Sequence, residues 1–222
     1  MAMICCMGEY GSGKSTSMRT LDPEKTLIAN VLSKEFPFRQ RFKYVLNGWD
    51  INKIIDQITK AVQSGIKIIV IDDIGYVMIQ MFMSRHRNMK GNQSFELYND
   101  IADTMWSFIN FCKSLPQDVN IYLMFHEETN DYGMTKIKTI GKLLDSKVGI
   151  EGMTTILLRF MTKDGKHFVR TVTDGSDVAK SPFDLFDSEE IPNDLSYIDN
   201  CIREYYGTQL KEETETQEVT EC

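Results

Sequence analysis

Apolar residues in this chain fall in short blocks separated by amphipathic stretches, and the blocks predict the strands. Residues 1–7, MAMICCM, form a continuous apolar run that stops at Gly8, the pattern of a strand buried on both faces. Residues 26–31, 67–71 and 119–125 repeat it, and 43–46 is a shorter candidate. Ile51, Ile54, Ile55, Ile58 and Val62 recur with helical spacing along one face, and Gly65 ends that helix. Leu97, Ile101, Met105, Phe108 and Cys112 define a second helical face, from about Phe95 to the stop at Pro116. Helices are also predicted from Lys14 to Thr20, over 140–148 and over 193–206. Between Gly75 and Gln93 the period fails, because an apolar stretch gives way to the polar, basic SRHRNMKGNQ. Residues 154–161 and 167–173 flank Lys163, Asp164, Gly165 and Lys166, and the Asp-Gly pair predicts a hairpin turn.

Strands that alternate with helices and end in a hairpin predict an α/β domain built on a largely parallel sheet. The parallel sheet should place loops that follow the strands along one edge, where ligands bind in such folds.

Composition narrows the class. With 222 residues, 42% of them hydrophobic, one domain with a sizeable core is expected over residues 1–208. Residues 209–222 are glutamate-rich and short of apolar groups, so they are expected to be an acidic, disordered tail. No apolar run nears the roughly 18 residues of a membrane span, and residues 1–7 are too short for a secretory leader, so a cytoplasmic protein without a membrane partner is expected. The five cysteines include no CxxC pair and no histidine cluster, which argues against zinc. The net charge of −7 disfavours a general nucleic-acid coat, yet much of it lies in the tail, leaving room for a local basic surface.

The strongest chemical signal follows the first strand. Gly8, Glu9, Tyr10, Gly11, Ser12, Gly13, Lys14 and Ser15 match GxxxxGK[ST], and Thr16 continues into the predicted helix. Glycines let the backbone curl so that successive N–H groups face phosphate oxygens. Lys14 can reach the β- and γ-phosphates, and the Ser15 hydroxyl can hold Mg²⁺. The strand KIIVIDD closes on Asp72 and Asp73, as a Walker B strand does. Asp72 is expected in the Mg²⁺ shell, and Asp73 is expected to orient or deprotonate water. His126 and Glu127 sit where the strand from 119 should leave the sheet. There His126 can sense a γ-phosphate and Glu127 can polarise water. His86 and His167 are expected as surface histidines.

Two polar segments should project from the same edge. One carries Arg85, His86, Arg87 and Lys90, and the other Lys136, Lys138 and Lys142. Lysine and arginine there can bind nucleic-acid phosphates or a neighbouring subunit's nucleotide, and Tyr132 or Phe95 can stack a base.

The chain resembles the phage-encoded single-domain RecA-core ATPases of the Sak type, within the AAA_24 grouping, which assist single-strand annealing and recombination. The resemblance rests on GEYGSGKSTSMRTLDPEKT, KEFPFR, VIDDIGYVM, KIKTIGKLLD, EGM and TVTDGSDVAKSP, spread over residues 3–206. It implies a RecA-like P-loop fold, ATP and Mg²⁺ as cofactors, a homo-oligomer in ring or filament form, and single-stranded DNA and a single-strand-binding protein as partners. Lys136 and Lys138 resemble the lysine pair that RecA-type proteins insert into a neighbour's ATP site. The family often places an acid, glycine and lysine after the second strand. Here VLSKEF keeps only Lys34, leaving Glu35, Asp73 and Glu127 as candidates for activating water. Two other readings stay open: a small-molecule kinase, and a nucleotide-dependent scaffold with little hydrolysis.

Overall fold

The computed structural model describes residues 2–88 and 93–210. Lys90 and the segment 211–222 lie outside the described residues. Among the described residues nine strands form the sheet: β1 (Ala2–Gly8), β2 (Thr26–Asn30), β3 (Tyr44–Asn47), β4 (Ile68–Asp72), β5 (Asn120–Thr129), β6 (Thr135–Ile137), β7 (Ile156–Lys163), β8 (Lys166–Arg170) and β9 (Glu190–Pro192). Their order is β3-β2-β4-β5-β1-β7-β8-β9. The six strands from β3 to β7 are mutually parallel, and β8 and β9 extend the sheet antiparallel. The predicted hairpin is β7–β8, turning through Asp164 and Gly165, both with positive φ.

Strand alternation splits the core in two. On one face Met3, Cys5, Met7, Ile69, Ile71, Leu123 and Phe125 pack against α2 (Ile51–Gln63), α3 (Gly75–Arg85) and α4 (Gln93–Lys113). On the other, Ile4, Cys6, Val70, Tyr122 and Leu158 meet Met18, Leu21 and α5 (Leu195–Tyr206). Adjacent Cys5 and Cys6 therefore lie on opposite sides, as the strand period requires. α2 begins where the Asp50 carboxylate accepts the N–H groups of Asn52 and Lys53. α5 is fastened by a buried network in which the Asp199 carboxylate accepts from Arg203 Nε (2.5 Å), Tyr122 Oη (2.7 Å) and Asn120 Nδ2 (2.8 Å). Arg203 also donates to the Asp118 and Lys67 carbonyls, both 2.9 Å away.

Three predicted elements differ. The segment 126–136, polar and beyond the strand predicted over 119–125, continues β5 and folds back as β6. Asn130 Oδ1 accepts from the Tyr132 and Met134 amides, and Gly133 adopts φ 80°, so a polar composition conceals a tight turn. The helix predicted over 140–148 is a single π-type turn, Leu143–Val148, followed by a 3₁₀ turn over Ile150–Met153. After the glycine-rich loop, α1 (Lys14–Ser17) lasts only one turn before it tightens to 3₁₀ over Met18–Thr20. Strand β9 escaped prediction because three residues around Pro192 carry no period. Among the described residues no helix is long and apolar enough to cross a membrane.

Candidate nucleotide-binding site

β1 lies inside the sheet, between β5 and β7, and delivers Gly8 to the edge where all the parallel strands end. The loop from Gly8 to Gly13 is shaped by close approach. A Cβ on Gly8 would fall 2.5 Å from Ser12 Oγ and 2.6 Å from the Phe160 carbonyl oxygen. Gly13 has φ +93°, and a Cβ there would meet Asn193 Nδ2 and His167 Cγ, each at 2.9 Å. Gly13→Ala is therefore expected to cost about 1–3 kcal/mol and to weaken nucleotide binding. Thermal melts and calorimetry check this, and an unaltered midpoint would show that the loop tolerates the change.

Lys14 is buried. Its Nζ donates to the carbonyl oxygens of Gly8 (2.6 Å) and Glu9 (2.9 Å). Burial lowers its pKa to about 8, although the charges of Asp73 and Asp72 oppose the shift. Ser15 Oγ stands 3.0 Å from each carboxylate oxygen of Asp72, at the end of β4. Burial and the adjacent Asp73 charge raise Asp72 to about 6. The pair is an all-oxygen donor set. That fits Mg²⁺, which takes one or two protein oxygens and completes its shell with phosphate and water.

Asp73 is buried with φ 62°, a left-handed conformation uncommon outside glycine, asparagine and aspartate. Lys34 Nζ lies 2.5 Å from one of its oxygens, and His126 Nε2 lies 3.1 Å from the other. Burial would raise the pKa of Asp73, but His126 and Lys34 outweigh it and hold the carboxyl below its usual range. Lys34 is presented by Asn30, whose side chain bonds both its carbonyl oxygen and its amide. Glu35, beside it, is exposed. His126 stacks on Tyr10, with ring centroids 4.1 Å apart, and meets Tyr76 edge-on at 5.7 Å. Ser12 Oγ and His126 Nδ1 are buried without a hydrogen bond among the described residues.

Glu127 lines a hollow with Glu9, Tyr10, Gly11 and Ser12, and its charge acts on Lys14. Arg159 on β7 grips Glu127 through Nε (2.9 Å) and Nη2 (2.8 Å) and also donates to Asp177 (3.0 Å), which in turn takes a bond from Arg170. Sequence reasoning missed Arg159, Asp177, Asn193 and Arg19, because their partners lie far along the chain. Arg19 joins the Thr16 carbonyl (2.9 Å) to that of Asn193 (3.0 Å), and Asn193 Nδ2 donates to the Gly13 carbonyl (3.1 Å).

The basic positions divide. Arg85 pairs with Asp100 at 2.7 Å, and Lys136 pairs with Asp145 and, at 3.9 Å, with Glu128. Arg87, Lys138 and Lys142 are exposed and have no acidic partner within 4.0 Å among the described residues. Tyr132, at the β5–β6 turn, is 96% exposed.

A glycine loop closing on a buried lysine, with its serine set against a strand-end aspartate on a parallel sheet, defines a P-loop nucleoside-triphosphatase domain. The chain belongs to the AAA_24 family, described as an AAA domain, whose model matches residues 1–183. Among solved structures it is similar to the KaiC-like protein PH0186 from the hyperthermophilic archaeon Pyrococcus horikoshii OT3. The two share 12% identity over 76% of this chain and 77% of that one, with a TM-score of 0.46. No curated protein matches the chain.

Proposed function

We propose that the protein binds ATP with Mg²⁺ and hydrolyses it. The observation that carries this reading is the convergence of Ser15 and Asp72 at 3.0 Å beside the buried Lys14. Lys14 would exchange the Gly8 and Glu9 carbonyls for β- and γ-phosphate oxygens. Ser15 and Asp72 would hold the magnesium ion, which neutralises charge on those oxygens when bound. Asp73 and His126 stand next to that position, so we assign them to orienting the attacking water. A carboxylate held below its usual range suits orientation better than proton storage. Glu127, committed to Arg159, is assigned a positioning role. The unpaired Ser12 hydroxyl and His126 Nδ1 support a ligand here, since buried polar groups normally find partners.

We further propose cytoplasmic assembly into a homo-oligomer, ring or filament, that acts on single-stranded DNA in phage recombination, annealing or replication, alongside a single-strand-binding protein. The support is the exposure of Arg87, Lys138, Lys142 and Tyr132. Lys138 is the member of the Lys136–Lys138 pair without an acidic partner among the described residues, so it is the better candidate to reach a neighbour's nucleotide.

The test is ATP turnover measured against protein concentration, with and without single-stranded DNA and with no phosphoacceptor added. Specific activity should rise with both. Turnover that appears only with an added acceptor would favour a kinase. Nucleotide binding without turnover under every condition would favour a scaffold.

A further inference from the structure

His126 Nε2 lies 3.1 Å from Asp73 Oδ1, while its Nδ1 is buried with no hydrogen bond among the described residues. One polar contact does not fix an imidazole. The outer torsion of histidine is broad, so the ring can turn about that contact unless packing holds its plane. Aromatic neighbours supply the packing. Tyr10 lies over His126 with centroids 4.1 Å apart and planes 30° from parallel, and Tyr76 meets the imidazole edge-on at 5.7 Å and 83°. The Tyr10 and Tyr76 side chains are also hydrogen-bonded to one another, and that bond, with burial, pushes the Tyr76 hydroxyl up to about 12.

Both tyrosines are anchored to the parts of the site that handle phosphate and metal. The Tyr76 amide donates to the Asp73 carbonyl at 2.9 Å, in the turn that follows β4. Tyr10 belongs to the glycine loop, next to Gly8 and Glu9, whose carbonyls accept from Lys14. Tyr10 is 70% exposed, so it buries too little apolar surface to be placed there for stability. What its ring does cover is His126.

We propose that Tyr10 is a positioning residue: its ring, backed by Tyr76, sets the plane of His126, so that His126 and Asp73 orient the attacking water as one unit. The proposal rests on the hydrolysis reading above. The ring that fixes this unit is carried by the same loop that takes the phosphates, so nucleophile and phosphoryl group are aligned to one frame. Alignment of that kind contributes to rate and not to affinity. Tyr10 therefore governs kcat and leaves nucleotide binding in place.

ATP turnover, calorimetry with ATP and Mg²⁺, and the ring-proton resonances of His126 test this on the full chain. The proteins are wild type, Tyr10→Ala, Tyr10→Phe, His126→Ala and the Tyr10→Ala/His126→Ala double variant. The chain has three histidines, so the signals that His126→Ala removes are those of His126. In wild type the stacked tyrosine should displace them upfield. Tyr10→Ala should abolish that displacement and lower kcat about three- to tenfold, the worth of one aromatic pair. Its affinity for ATP should stay within about twofold of wild type. Tyr10→Phe keeps the ring, so it should keep the displacement and most of the rate. In the His126→Ala background, Tyr10→Ala should cost nothing further.

Weaker ATP binding with kcat unchanged would mean that Tyr10 touches the nucleotide, and it overturns the proposal. So does a loss of rate that persists in the His126→Ala background, and so does a Tyr10→Phe variant as slow as Tyr10→Ala. A wild type that binds ATP and never turns it over removes the hydrolysis reading and this one with it. Wild-type turnover that Tyr10→Ala leaves intact defeats only the role of Tyr10.

Discussion

Asp72→Asn is expected to lower Mg²⁺-dependent turnover by at least about a hundredfold and, at pH 8 without nucleotide, to raise the thermal midpoint. The carboxyl has an ordinary value of 3.8, and burial with the neighbouring Asp73 charge raises it to about 6. The folded chain thus holds this proton more tightly than the unfolded chain does. The associated stability is fully present below about pH 3.8 and is lost as pH rises through about 6. At pH 8 the buried charge costs about 3 kcal/mol at most, which a neutral isostere removes. Melts of both proteins at pH 5 and pH 8 check this: the gain from asparagine should be several degrees at pH 8 and smaller at pH 5. A variant that melts lower at pH 8, or that turns over normally, contradicts the assignment. Lys14 carries a similar burden. Burial pulls its ammonium down to about 8, so the protein gains stability as pH rises from there toward 10.5. The site is kept at the expense of stability.

The largest loss of stability should come from Asp199→Ala, at about 3–5 kcal/mol. The substitution leaves the buried Arg203 cation without its carboxylate and strips Tyr122 Oη and Asn120 Nδ2 of the acceptor they share. Denaturant titration should show a lower midpoint with little change in slope. Adding Arg203→Ala should cost less than the two single losses summed, since the members of one network are coupled. A fully additive double variant, or a single variant losing under 1 kcal/mol, would mean that the network is incidental.

The parts of this fold that could be read in advance are those written in local pattern. The buried strands, the Ile51–Val62 face and the Asp164–Gly165 turn each depend on residues within a few positions of one another. Lys14, Ser15 and Asp72 were legible for a related reason: each stands at the end of a strand that announces itself, and a parallel sheet brings such ends together. What stayed hidden was set by long-range closure. Nothing local marks Arg159 as the partner of Glu127, and Lys34 meets Asp73 only because β2 and β4 are neighbours. His167 has the composition of a surface residue and is indeed exposed, yet it rests on the phosphate loop. The β5–β6 turn lies in a hydrophilic run, and hydrophilic composition alone does not mark a strand.

The clasp on the phosphate loop has a consequence for how the protein comes into being. Asn193, which secures the Gly13 carbonyl, leaves the ribosome 180 residues after Gly13. β1 itself has no sheet to join until β5 and β7 have been made. A nascent chain thus carries its most recognisable sequence long before that sequence can grip a ligand, and competence waits until Asn193 has been made. Any fragment cut at the end of the family match, residue 183, would keep the signature and forfeit the hand that closes it.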